Sequence, residues 1–124
     1  MRMLVVDDSN IIRRLIRRSV FATDVEIRAA GNGGEALRIL REFRPEIVTM
    51  DLTMPEMDGL TCISRMLEED PAVRILVITA LADKSTAVEA VKRGAQGFLL
   101  KPFTPDKLND QIAFVLDDSE VYAG

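Results

Sequence analysis

The sequence predicts an α/β fold in which five βα units build one parallel sheet. Short apolar runs alternate with longer segments whose apolar residues recur at helical spacing, and this alternation is typical of βα units. The predicted strands cover residues 3–6, 25–29, 47–50, 75–79 and 98–100. The chain has 124 residues, the length of one domain with a single core.

The apolar pattern of each strand indicates its place in the sheet. Four of the five runs are continuously apolar, as expected of strands that are covered on both faces. The second run differs, because Val25, Ile27 and Ala29 alternate with Glu26 and Arg28. This alternation predicts that the second strand lies near the edge of the sheet.

A helix is predicted after each strand. The apolar residues at helical spacing are Ile12, Leu15 and Ile16; Ala36, Leu37 and Leu40; Leu60, Ile63 and Leu67; Val88 and Val91; and Leu108, Ile112 and Val115. A short polar residue that can cap a free backbone N–H stands near each predicted start: Ser9, Asn32, Asp58, Asp83 and Thr104. Residues 117–124 are interpreted as a polar C-terminal tail, so the predicted domain covers residues 1–116.

Composition disfavours several functions. The sequence has 16 Lys and Arg against 20 Asp and Glu, a net charge of -4, which disfavours direct nucleic-acid binding. It contains no histidine, so a phosphohistidine or a histidine metal ligand would have to come from another protein. No apolar run is long enough to cross a bilayer, and no signal peptide is evident, so we expect a cytoplasmic protein without membrane insertion. The single cysteine, Cys62, is next to an apolar helical stripe and is interpreted as structural.

Polar residues whose side chains could take part in a reaction or bind an ion stand at the ends of four of the predicted strands. Asp7 and Asp8 follow the first strand, Asp51 follows the third, Thr79 ends the fourth and Lys101 follows the fifth. In an open parallel sheet, ligands bind outside the carboxyl ends of the strands, near the point where the strand order reverses. Each residue by itself could be an ordinary turn acid, cap, strand residue or surface cation. Their joint position at one edge predicts a functional site.

The three carboxylates predict a cation at this site. Like charges held close together repel, and a divalent cation relieves this repulsion. Mg²⁺ prefers hard oxygen ligands and often binds one or two carboxylates together with phosphate oxygens. We therefore expect Mg²⁺ rather than Ca²⁺, which requires more protein ligands.

Four segments carry a family resemblance. Residues 5–9 (VVDDS), 50–59 (MDLTMPEMDG), 78–80 (ITA) and 100–103 (LKPF) resemble the motifs of response-regulator receiver domains. The resemblance extends over nearly the whole chain. It implies a flavodoxin-like (βα)5 fold, in which a doubly wound parallel sheet has the strand order 2-1-3-4-5.

The resemblance also implies roles for the acidic residues. Asp51 would accept a phosphoryl group. Asp8, Asp51 and the backbone carbonyl of Thr53 would bind Mg²⁺, and Asp7 would act through a water molecule. Thr53 and Leu81 would border the path by which water attacks the phosphorus.

Residues at the ends of the last two strands have implied roles as well. Lys101, before a cis bond to Pro102, would pair with the phosphoryl oxygens, and Thr79 would donate a hydrogen bond to one of them. Phe98 resembles the aromatic residue that turns inward when the switch threonine moves. A partner would then bind the face formed by the fourth helix, fifth strand and fifth helix, including Phe98, Ala87, Val88 and Ala90.

The implied function is that of a signalling switch, which is not an enzyme beyond its own phosphorylation and dephosphorylation. The phosphoryl donor would be a histidine kinase or a histidine phosphotransfer protein, and the output a downstream protein target or a phosphatase. Ser9, Arg13 and residues 92–95 (KRGA) look most like the chemotaxis subgroup. The pairs of arginines on the first helix are interpreted either as a solvated face or as a donor-docking surface: Arg13, Arg14, Arg17 and Arg18.

Three alternative functions fit the sequence to different degrees. A phosphorelay intermediate or a phosphate sink would have the same motifs. An aspartate-nucleophile phosphatase of the haloacid-dehalogenase type would require a second acid two positions after the nucleophile, where this chain has Thr53. A nucleotide-binding protein would require a glycine-rich phosphate loop after the first strand, and that loop is acidic here.

Overall fold

The structure, a computed structural model, describes residues 1–81 and 83–117. Its sheet has five parallel strands: β1 (Arg2–Val6), β2 (Glu26–Ala30), β3 (Ile47–Met50), β4 (Arg74–Thr79) and β5 (Gly97–Leu100). Their order is β2-β1-β3-β4-β5, which confirms the predicted fold class. The predicted tail, residues 117–124, lies outside the described residues except for Asp117.

A helix follows each strand: α1 (Asn10–Ser19), α2 (Gly33–Phe43), α3 (Gly59–Glu69), α4 (Lys84–Lys92) and α5 (Pro105–Leu116). Each helix begins after the residue that the sequence predicted as its cap, and each capping side chain accepts a backbone N–H from the first turn. The capping positions could be predicted because such a bond is local.

The helices cover both faces of the sheet. Ile16 of α1 packs with Leu108 and Val115 of α5 on one face, and α2, α3 and α4 pack on the other. Side chains of β1 alternate between these two clusters, with Met3 and Val5 in the first and Leu4 and Val6 in the second. The sheet therefore lies between two apolar layers.

One end of the sheet agrees with the sequence pattern and the other does not. The edge strand β2 has exposed Glu26 and Arg28, as its alternation predicted. β5 is also an edge strand, although its continuous apolar run predicted a strand covered on both faces, and Leu100 at its end is 43% exposed. Strand β1 pairs with β2 on one side and with β3 on the other. The chain therefore reverses its direction of winding between β1 and β3, and a crevice forms outside their carboxyl ends. No helix in the described ranges is long and apolar enough to span a membrane.

The buried face of α4 differs from the sequence expectation. Ala90 is fully buried in the core, so its predicted place on the partner-binding face is wrong. Val88 and Val91 instead remain 45% and 59% exposed. The larger residues of α4 therefore face outward, a distribution that apolar spacing in the sequence cannot reveal.

Candidate functional site

Hydrogen bonds of the sheet continue one residue beyond β1 and β3 and place two carboxylates. The N–H of Asp7 donates to the carbonyl of Ala30 at 3.1 Å, and the N–H of Asp51 donates to the carbonyl of Val6 at 2.9 Å. Both aspartates are buried, whereas Asp8 is exposed. One carboxylate oxygen from each of Asp7, Asp8 and Asp51 lies within 4.8 Å of the others. The predicted acidic cluster therefore exists in three dimensions.

The polar groups of Asp7 are bonded on several sides. Its Oδ2 accepts a hydrogen bond from Lys101 Nζ at 2.7 Å, and its Oδ1 accepts one from the N–H of Ser9 at 2.9 Å. Its main-chain oxygen accepts a hydrogen bond from Arg13 Nη1 at 2.7 Å. Asp7 therefore joins β1, the start of α1 and the end of β5.

Lys101 is closer to Asp7 than to Asp51. Its ammonium nitrogen lies 2.7 Å from Asp7 Oδ2 and 3.6 Å from Asp51 Oδ1. The main-chain N–H of Lys101 donates to the main-chain carbonyl of Thr79 at 2.9 Å. The Lys101–Pro102 peptide bond is cis, as the resemblance implied. The lysine therefore already neutralises part of the acidic charge.

Burial raises the pKa of the Asp51 carboxyl above its ordinary value, and the neighbouring Asp7 raises it further. The Lys101 ammonium and the N–H of Thr53 favour the ionised form and partly offset this increase in pKa. The N–H and Oγ1 of Thr53 lie 3.5 and 3.4 Å from Asp51 Oδ1, which is long for hydrogen bonds. The exposed Thr53 therefore borders the cluster and makes only long contacts with the Asp51 carboxylate.

The other two predicted residues lie on the neighbouring strands. Thr79 is fully buried at the end of β4, and its Oγ1 accepts a hydrogen bond from the N–H of Leu81 at 3.3 Å. Phe98 pairs with Val77 inside the sheet and packs, partly buried, against the core layer of α2, α3 and α4. The structure thus brings Asp7, Asp8, Asp51 and Lys101 together, and it places Phe98 two positions before the end of β5, against the apolar core.

Two residues shape the site in ways that the sequence did not reveal. Gly59 approaches Asp51 so closely that a Cβ there would lie 2.3 Å from the Asp51 carbonyl oxygen. The sequence marked Asp58-Gly59 as a helix start, and this motif was the available signal. Arg13 was assigned to a surface face of α1, yet its guanidinium bonds the backbone at the site. The resemblance to the chemotaxis subgroup had singled out Arg13, but nothing in the sequence indicated this bond.

Comparison with known proteins agrees with this geometry. The family described as "Response regulator receiver domain" matches residues 3–113. The chain belongs to this family. The resemblance found in the sequence is thereby confirmed, and receivers are signalling switches of two-component systems.

Chemotaxis proteins are among the similar relatives. The chemotaxis protein CheY of Listeria monocytogenes is 38% identical over 109 residues, covering 87% of this chain and 92% of the relative. CheY of Bacillus subtilis is 37% identical over 112 residues, covering 90% and 93%. A CheX–CheY–BeF3–Mg²⁺ complex from Borrelia burgdorferi contains a chain with a TM-score of 0.90 and 30% identity, covering 95% of this receiver and 90% of that chain.

Proposed function

We propose that Asp51 of this receiver accepts a phosphoryl group from a phosphohistidine and that the change alters binding of a partner protein. The observation that carries the proposal is the placement of Asp51. It is buried at the carboxyl end of the central strand, beside two other carboxylates and within 3.6 Å of the Lys101 ammonium. A carboxylate in this setting has the charge partners that phosphoryl transfer requires.

The residues present fit Mg²⁺. Three carboxylate oxygens lie within 4.8 Å of one another, and the raised pKa of Asp51 reflects a site that disfavours its unpaired negative charge. Asp8 and Asp51 would hold the ion with the backbone carbonyl of Thr53, and Asp7 would act through a water molecule. When bound, Mg²⁺ supplies positive charge to the phosphoryl oxygens.

The proposed reaction is an in-line displacement at phosphorus. An Asp51 carboxylate oxygen forms the new O–P bond while the N–P bond of the donor phosphohistidine breaks. The electron pair of that N–P bond stays on the imidazole nitrogen. The protein contributes chiefly position and charge, because little covalent chemistry remains for other side chains.

After transfer, Lys101 and Thr79 would hold the new phosphoryl group. Lys101 is bonded to Asp7 at 2.7 Å, so its ammonium would turn from Asp7 toward a phosphoryl oxygen. The Thr79 hydroxyl would donate to another oxygen. The main-chain N–H of Lys101 donates to the main-chain carbonyl of Thr79, so a movement of Thr79 would also shift the end of β5. As the resemblance implies, Phe98 would then turn inward.

Two surfaces are proposed for partners. The downstream target or phosphatase would bind the face of α4, β5 and α5, where Val88, Val91 and Leu100 are 45%, 59% and 43% exposed. The histidine kinase or phosphotransfer protein would dock beside α1, where Ile11 is 77% exposed and Arg14 is exposed. A partner can act as a readout if its affinity differs between the two states.

We favour a chemotaxis output, supported by the CheY relatives, over a phosphorelay intermediate or a phosphate sink. The receiver would consist of residues 1–116 and act in the cytoplasm, where a kinase partner is available. It would catalyse its own phosphorylation and dephosphorylation and have no other substrate. The net charge of -4 favours protein partners over nucleic acid.

The test is phosphorylation of the purified protein with a small acyl-phosphate donor, with Mg²⁺ or with chelator. We expect one added phosphoryl mass in the presence of Mg²⁺, located on Asp51 by peptide mapping. Asp51→Asn should prevent the addition, because an amide is a poor nucleophile. Asp58→Asn is the matched control: it changes an exposed capping carboxylate in the same loop and should be labelled normally, since asparagine also caps helices.

Labelling of Asp51→Asn at the wild-type rate would contradict the proposal. A second measurement tests the switch itself: binding of a peptide or protein partner to the α4–β5–α5 face with and without the phosphoryl group. Equal affinity in both states would exclude this face as the readout.

A further inference from the structure

Arg13 is part of the site although it lies on a helix. Its Nη1 donates to the main-chain oxygen of Asp7 at 2.7 Å, across the turn that joins β1 to α1. Arg13 is half-buried, whereas the adjacent Arg14 is exposed. A charge-assisted hydrogen bond of this length is among the stronger ones in proteins.

The end of β2 leaves room for this guanidinium. A Cβ built on Gly31 would lie 3.2 Å from Arg13 Nη1 and 3.9 Å from its Cζ. An alanine at this position would require the guanidinium to shift by a few tenths of an ångström. The N–H of Gly31 donates to Glu35 Oε1 at 2.8 Å, which fixes the glycine in turn. The guanidinium therefore lies between the Asp7 carbonyl and Gly31, just beyond the ends of β1 and β2.

The Asp7 carbonyl precedes Asp8 in the chain, and the orientation of that peptide unit helps to set where Asp8 points. In the described parts of the chain, no hydrogen bond or ion pair holds the exposed Asp8 carboxylate. The backbone at Asp7 and Asp8 therefore sets the range of positions that this carboxylate can reach. The turn is held by the Ser9 N–H to Asp7 Oδ1 at 2.9 Å and by Arg13 to the Asp7 carbonyl.

We propose that Arg13 is a positioning residue for cation binding, because it fixes the peptide unit that presents Asp8 to the acidic cluster. The inference rests on the proposed Mg²⁺ site and assigns a role to a residue outside the ligand set. Preorganised ligands bind a metal more tightly, because the free energy of ordering them has already been spent in folding.

The sign of the effect distinguishes positioning from charge. Arg13 carries a positive charge near a cation site, so its charge alone would repel Mg²⁺. Removing that charge would tighten Mg²⁺ binding if electrostatics dominated. Removing the hydrogen bond would weaken it if positioning dominates. The two explanations therefore predict opposite changes in the dissociation constant.

The experiment is titration of Arg13→Ala with MgCl2, followed by the amide NMR signals of Asp7, Asp8 and Ser9 at fixed ionic strength. We expect the Mg²⁺ affinity to fall on the order of 10-fold, the lower end of the range for residues that orient metal ligands. Arg14→Ala is the matched control, since it removes the same charge from the next residue of α1. It should bind Mg²⁺ as tightly as wild type or slightly more tightly.

Chemical rescue separates positioning from a general loss of structure. Methylguanidinium should restore part of the affinity of Arg13→Ala, and methylammonium at the same concentration should not. Arg13→Met, which keeps the aliphatic stem, is the second variant should Arg13→Ala fold poorly, and the same weakening is expected. Mg²⁺ binding by the Arg13 variants as tight as wild type, or equal rescue by both cations, would overturn the inference. Failure of wild type to bind Mg²⁺ would instead refute the proposed function.

Discussion

Gly59→Ala should disturb the acceptor loop directly. The added Cβ would lie 2.3 Å from the carbonyl oxygen of Asp51, 2.7 Å from Cα of Leu52 and 3.0 Å from the carbonyl carbon of Asp51. All three are backbone atoms, so no flexible side chain can move aside. An ordinary carbon–oxygen contact is about 3.3 Å, and the loop or the start of α3 must therefore shift by about 1 Å.

The size of this shift sets the expected losses. Overpacking of this kind costs about 1–3 kcal/mol of unfolding free energy. A loss of about 2 kcal/mol, with a denaturant slope of about 2 kcal/mol/M, lowers the urea midpoint by about 1 M. Misplacing a reacting group by about 1 Å can slow a reaction roughly 100-fold, so phosphorylation of Asp51 should slow by a comparable factor.

Urea denaturation followed by circular dichroism measures the first loss, and acyl-phosphate incorporation measures the second. Gly34→Ala is the matched control: its Cβ would meet Asn32 Oδ1 at an ordinary 3.5 Å, on the exposed side of α2. That variant should gain about 0.5 kcal/mol and keep the wild-type phosphorylation rate. A Gly59→Ala protein with unchanged urea midpoint and unchanged rate would refute the assignment of this glycine to close packing.

Four further outcomes are expected. The pKa of Asp51 is raised in the folded state, so protonation of Asp51 stabilises the fold. This stabilisation is fully present below the ordinary aspartate pKa of about 3.9 and is lost as the pH rises through the raised pKa. Asp51→Asn should therefore be more stable than wild type at neutral pH by thermal denaturation in chelator, and a lower melting temperature would contradict the burial argument. Mg²⁺ at ten times its dissociation constant should stabilise the wild type by about 1.4 kcal/mol, and Asp8→Ala should lose this increase in melting temperature. Thr53→Asn combined with Leu81→Glu should hasten loss of the phosphoryl group, because the new side chains can orient water where the present ones cannot; slower or unchanged decay of the purified phosphoprotein would show that these positions do not set its lifetime. Thr49 is buried with no hydrogen-bond partner for Oγ1 among the described residues, so Thr49→Val should raise the unfolding free energy by about 1 kcal/mol in urea titration, and destabilisation would indicate a partner for that hydroxyl.

The elements of this fold were predictable because their signals are local. Each helix cap needs a polar side chain within three residues of a free N–H, as Ser9 provides for Ile12 at 3.2 Å. The alternation around Glu26 marked an edge strand, since period-two burial depends on whether each face of the strand is covered. The strand order came from the family resemblance, and the observed pairing confirms it.

The meeting of Asp7, Asp8, Asp51 and Lys101 was also predictable, because parallel strands place their carboxyl ends at one edge. Their individual bonds were not. Lys101 lies nearer to Asp7 than to Asp51, and these distances depend on how the strand ends and the loops pack together. No spacing in the sequence contains that information.

Tertiary contacts decided the remaining features. Ala90 is buried and Val88 is exposed because the core covers only one side of α4. The orientation of the helix, and not the size of its apolar residues, decides which of them are buried. Arg13 bonds the Asp7 carbonyl, and Gly59 lies against the Asp51 carbonyl, because a helix and the end of the preceding strand approach to within a few ångströms. The sequence by itself determined where each helix begins, the position of each strand to within one residue, and which side chains reach the edge of the sheet. Those features follow from local hydrogen bonds and hydrophobic periodicity. Contacts between elements depend on how close-packed layers fit together, and only the folded structure determines that fit.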